Sequence, residues 1–162
     1  MTTERQANGP SERRRLTLSD YVKRRNGVTM GAPGGLQNML YRSLGARSFD
    51  AFWHYWNPIF GYLLGRYVYA PSKRLLPAAA ALIVTFVVCG AIHDAVTVLV
   101  KGSTAFLFTR WFFFLGWGVV LSRFLKMNIS RYPWLLRAGC NIAYVLICLA
   151  MALALRGWLA RI

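Results

Sequence analysis

Residues 77–100 read PAAAALIVTFVVCGAIHDAVTVLV. No charged side chain interrupts the run from Pro77 to Ile92. Its 24 residues, at about 1.5 Å each, reach about 36 Å, enough to cross a bilayer core of about 30 Å with some tilt. Two further apolar runs follow, at 104–125 and 134–155. The expected fold is therefore an all-α integral membrane protein with about three transmembrane helices, its membrane domain covering 36–162.

Composition points the same way. Of 162 residues, 56% are hydrophobic and 15% aromatic, too apolar for an ordinary small soluble domain. The 20 Lys+Arg against 5 Asp+Glu give a net charge of +15. That excess is not read as a nucleic-acid surface, because much of it flanks the apolar runs, where anionic lipid headgroups sit. Membrane lipids are the expected partner. Arg66, Lys73 and Arg74 before the first span, with Arg123, Lys126, Arg131 and Arg137 around the second loop, outweigh Lys101 in the first loop. The positive-inside rule then puts the N-terminus in the cytosol and the C-terminus outside, in the cell (inner) membrane. Cys89, Cys140 and Cys148 all lie in apolar runs with no CxxC or Cys/His cluster, so buried packing is expected of them rather than metal binding or disulfides.

Ahead of the spans, residues 1–35 are polar and basic and read as a flexible tail. The absence of an early apolar core argues against a secretory signal. Residues 36–71 read as interfacial helices. Leu36, Met39, Leu40 and Leu44 recur at helical spacing, and Ser48 can cap a helix with Asp50 in its first turn. That helix carries Phe52-Trp53-His54-Tyr55-Trp56, and Trp and Tyr favour the membrane–water boundary. Asn57-Pro58 then breaks the chain and can start a second helix running to about Tyr69.

An ionisable residue inside a span is costly and marks a candidate site. His93 shares a helical face with Phe86, Cys89, Gly90 and Thr97, and Asp94 lies about 100° round from it. Neighbours in sequence do not face each other on a helix, so Asp94 is poorly placed to orient His93. An imidazole in a low-dielectric site can act as general base on a hydroxyl. Equally, His93, Asp94, Thr97 and Gly90 can simply join packed helices. Asn57 can orient a substrate or serve only as a helix cap. His54 is read as interfacial, Arg110 as snorkelling to the span's end, and Asn141 and Tyr144 as pairing with a neighbouring helix.

Two blocks of this chain resemble the membrane-bound O-acyltransferase family. One is Phe52-Trp53-His54-Tyr55-Trp56-Asn57, continuing into the basic segment from Arg66 through Pro71 to Arg74. The other is Thr85-Phe86 leading to Gly90-Ala91-Ile92-His93, 36 residues beyond Asn57. The resemblance implies that His93 activates an acceptor hydroxyl, that Asn57 is the second site position, and that an acyl thioester such as acyl-CoA is the co-substrate. No other cofactor and no metal is implied. Trp53, Trp56, Phe86, Cys89 and Thr97 are the candidate substrate-binding residues. The chain covers about the last third of the family's architecture, from residue 48 or so. Activity then calls for an oligomer or a second membrane subunit around the histidine. The competing class is a non-catalytic membrane subunit or lipid-binding scaffold, in which Gly90, Gly116 and Gly139 matter for packing and His93 does not. A proton or solute conductor built on His93 and Asp94 lacks further polar groups to line a path.

Overall fold

Thr17 precedes the first helix. Its hydroxyl oxygen accepts from the Asp20 amide at 3.2 Å, which caps helix α1, Leu18–Asn26, and Gly27 at φ 84° ends it. The computed structural model describes residues 16–159 and 161, and every element among them is helical. The flexible tail expected over 1–35 is corrected from residue 16 onward, while residues 1–15 lie outside the described residues. The reason is local. Val22 is buried, and the Asn26 side chain donates to the Gly35 carbonyl at 2.9 Å, tying α1 to α2, Gly35–Leu44.

Ser48 caps α3, Phe49–Tyr55, by accepting from the Ala51 amide at 3.1 Å, as its position suggests. Asn57-Pro58 starts α4, Pro58–Leu64. The helix then widens into one π-helical turn, Gly65–Tyr69, and ends as α5, Ala70–Ser72. The long elements are α6, Ala78–Lys101, α7, Leu107–Phe124, and α8, Trp134–Leu159.

Both α6 and α8 are long and apolar enough to cross a membrane, and only 22% of each apolar window is buried inside the protein. Helix α7, where a further span was expected, has 18 residues and includes Arg110 and Arg123. It lies against both of the longer helices. The Arg110 guanidinium reaches back to the Ala105 carbonyl, toward the start of α7.

Two glycines let α6 and α7 approach closely. A Cβ on Gly90 would sit 2.6 Å from the Phe108 carbonyl oxygen and 2.8 Å from the Thr109 Cα. One on Gly116 would lie 3.2 Å from the Phe86 Cβ. Gly139 faces open space, so its expected packing role is corrected, and Gly118, 3.2 Å from the Phe49 ring by the same construction, takes that place. Gly90→Ala is expected to cost about 1–3 kcal/mol, because backbone must move to admit the methyl. Gly139→Ala is expected to leave stability unchanged or raise it by up to about 1 kcal/mol through helix propensity. Thermal unfolding of both variants in detergent checks the contrast.

The core joins α3 to the long helices. Phe49 and Phe52 pack with Leu115 and Val119 of α7 and Cys148 of α8, and the Phe49 ring stacks on Tyr144 at 4.8 Å. Asn141, 1% exposed, donates to the Leu44 and Ala46 carbonyls at 2.8 and 3.1 Å, closing the C-terminal end of α2. Tyr144 departs from the expected helix pairing at its polar end, since its hydroxyl donates to the Met127 sulfur at 2.8 Å in the α7–α8 connection. Cys89 and Cys148 are buried as expected, but Cys140 is exposed.

Candidate active site

The short helices and the α6–α7 hairpin frame a half-open cleft of about 300 Å³. His93, Asn57, Trp53, Trp56, Phe86 and Cys89 all line it, although they come from two segments far apart in sequence. Thr97 does not line it. Its hydroxyl donates to the His93 carbonyl at 2.9 Å, back-bonding within its own helix, so its assignment to a substrate path is corrected.

His93 is held by its own helix. Nδ1 lies 2.8 Å from the Cys89 carbonyl oxygen. A carbonyl only accepts, so Nδ1 carries the proton of the neutral ring and Nε2 keeps its lone pair. Among the described residues, Nε2 has no hydrogen-bond partner. The ring is sleeved by aromatic side chains. Phe112 stacks on it at 5.1 Å, Phe108 lies at 5.5 Å, and the Phe60 edge meets it at 6.0 Å. A base set in aromatic walls, oriented by a backbone carbonyl and open on one nitrogen, can take a proton from a hydroxyl brought beside it.

Asp94 does different work. It is 2% exposed, and its carboxylate accepts from the Thr104 hydroxyl at 2.8 Å and the Phe108 amide at 3.3 Å. It also accepts from the Thr109 amide and hydroxyl, both at 2.7 Å. The residue preceding α7, Phe106 at φ 50°, offers no side-chain cap. Asp94 therefore caps α7 from across the hairpin, satisfying amides that the helix start leaves open and meeting the positive end of its dipole.

Asn57 combines its two readings. At φ 41° and ψ 70° it forms the break before α4, and its Oδ1 accepts from the Phe60 amide at 3.2 Å. The cap uses the oxygen and leaves the side-chain NH₂ as a donor, with no partner among the described residues. The capped residue, Phe60, also puts its ring against His93, so one local motif links the two positions.

Trp53 supplies a second open donor. Its indole N–H is buried with no partner, and its ring meets Phe86 edge-on at 5.0 Å. Buried donors are normally paired, and one left open beside a cleft suits a ligand's acceptor oxygen. Trp56 stacks on Phe52 at 5.3 Å and is partly exposed.

Toward the other end of the cleft, Arg123 Nε donates to Asp50 Oδ1 at 2.6 Å. His54 Nδ1–H donates to the Asp50 carbonyl at 2.8 Å, and the ring is partly exposed. Gly65 and Tyr69 of the π-helical turn line the wall. Within the same turn Arg66 donates to the Tyr62 hydroxyl at 2.9 Å, which holds the guanidinium above its ordinary pKa. Sequence reasoning missed the sleeve. Phe108 and Phe112 are one turn apart, but nothing in their spacing says which side of α7 faces His93. Among the described residues no three His, Cys, Asp or Glu side chains gather as a metal site. Scans against protein-family models, curated proteins and solved structures each find no significant match to this chain.

Proposed function

We propose that the chain is a membrane-bound O-acyltransferase, or the catalytic part of one. It moves an acyl group from a thioester to a hydroxyl, with His93 as general base. The observation that carries this reading is that His93, whose Nε2 has no partner among the described residues, lines the same cleft as Asn57. In the reaction, Nε2 takes the proton of the acceptor hydroxyl as its oxygen attacks the thioester carbonyl. The Asn57 NH₂ and the Trp53 indole N–H are the donors available to the oxyanion that forms. Collapse of that intermediate expels the thiolate, which takes the proton back from His93.

The membrane setting is part of the proposal. Helices α6 and α8 cross the bilayer, with most of their apolar surface left to lipid, and α7 crosses between them. Its length of 18 residues is about 27 Å, and Arg110 and Arg123 sit close enough to its two ends to snorkel. Of the short helices, α2 lies toward the cytosolic boundary, while α4 reaches the depth of His93, whose ring Phe60 meets. His93 is the sixteenth residue of the 24 in α6, about 5 Å past the helix midpoint, so the base sits near the bilayer centre. A cleft of about 300 Å³ is at the small end of ligand sites and suits the reacting groups rather than a whole acyl chain. The chain's remainder then lies against exposed apolar side chains such as Ile59, Leu63 and Ile92, closed off by lipid, a second copy or another subunit.

The purified protein in lipid vesicles, given acyl-CoA and lipid, peptide or glycan hydroxyls, is expected to release free CoA and form ester. If purified protein and native membranes enriched in it both yield no ester with any of these acceptors, the reading fails. The scaffold reading draws on the tight helix packing at Gly90 and Gly116, but does not account for the open nitrogen of His93.

A further inference from the structure

A second cleft, of about 800 Å³, lies on the other side of α3. Arg25, Arg42, Arg47 and Arg137 line it, against the single carboxylate of Asp50. That carboxylate is already engaged by Arg123 at 2.6 Å. Two of the arginines are partly spent, since Arg42 donates to the Arg25 carbonyl at 3.1 Å and the Arg25 guanidinium lies over the Tyr21 ring at 5.2 Å. Arg47 and Arg137 have no carboxylate partner among the described residues, and Arg137 Nε is buried without a hydrogen bond. A buried guanidinium nitrogen in a cationic cleft calls for an anion with several acceptor oxygens.

The walls indicate which anion. Trp134, the first residue of the long apolar α8, stacks on Tyr41 at 5.3 Å and donates to the Tyr41 carbonyl at 3.0 Å. This braced aromatic pair is of the kind found at a lipid–water boundary. Directly after it, Leu135 and Leu136 are 77% and 55% exposed. Cationic side chains in the cleft and bare leucines beside it match a phosphate that carries hydrocarbon chains. We infer that this cleft binds the phosphodiester headgroup of an anionic membrane lipid, with the acyl chains lying along the foot of α8. The inference rests on α8 crossing the membrane and is independent of acyl transfer at His93.

The test uses the full chain in maltoside micelles, titrated with dioctanoyl phosphatidylglycerol and followed by tryptophan fluorescence. Saturable binding is expected, with no matching response to dioctanoyl phosphatidylcholine and no displacement by equimolar inorganic phosphate. Arg47 is exposed, so Arg47→Gln removes its charge without disturbing the core, and it should weaken binding by about fivefold. The Arg47→Gln/Arg137→Gln pair should weaken it by more than about tenfold, and Arg156→Gln, at the far end of α8, should leave it unchanged. Equal binding of the zwitterionic lipid, or wild-type affinity in Arg47→Gln, would overturn the proposal. Displacement by inorganic phosphate would overturn it too, making the cleft a site for a soluble phosphate. A chain that stays monodisperse without detergent would remove the membrane premise itself.

Discussion

Asp94→Ala is expected to lower stability by about 3 kcal/mol or more, equivalent to about 6–12 °C in melting temperature. The carboxylate is buried and accepts four hydrogen bonds from Thr104, Phe108 and Thr109. Alanine removes every acceptor at once. It leaves amides of the first turn of α7 without partners in a place water does not readily reach. Asp94→Asn keeps one acceptor oxygen and nearly the same shape, so it should cost less, about 1–2 kcal/mol. Thr109→Val, which removes one hydroxyl donor and keeps the backbone bond, should cost about 1 kcal/mol. Thermal unfolding in detergent should return that order. An Asp94→Ala protein as stable as wild type would mean that α7 is not capped from across the hairpin. The aspartate beside the histidine is thus a structural residue, and its loss should reduce activity only as far as it reduces folded protein.

Much of the fold was legible because its signals are local. The apolar runs that became α6 and α8, the Ser48 cap and the Asn57-Pro58 break each declare themselves within a few residues. The cleft was legible in part, as His93 and Asn57 do face the same space. What stayed hidden depends on contacts between distant segments. Helical periodicity puts Asp94 on a polar stripe, but the donors to its carboxylate lie 10 to 15 residues on, beyond the turn. Asp50 suits the dipole of α3 by its place in the first turn, whereas the ion pair it makes is with Arg123, 73 residues away. Composition gauges average apolar content and so does not reveal the order of the chain from residue 16. Thr17, Val22 and Asn26 order α1 through one cap, one buried side chain and one hydrogen bond. Thr97 shares the His93 face, yet its hydroxyl is satisfied within the helix, which periodicity does not reveal.

The largest functional effect is expected at His93. A positioned general base contributes typically about 10²–10⁴-fold to a rate, so His93→Ala should lower acyl transfer by at least about a hundredfold. Glutamine is expected to do no better. It has similar reach and can hydrogen-bond, but it has no nitrogen that takes a proton at neutral pH. Folding should survive either change, because the Asp94 bonds and the close contact at Gly90 hold the α6–α7 junction even where the packing of the His93 ring on Phe108 and Phe112 is lost. Ester formation from a labelled acyl thioester, measured side by side for wild type and His93→Ala at equal amounts of monodisperse protein, tests the account most directly. The predicted result is ester from the wild type and a loss of at least about a hundredfold in the variant. Equal rates in the two proteins would contradict it.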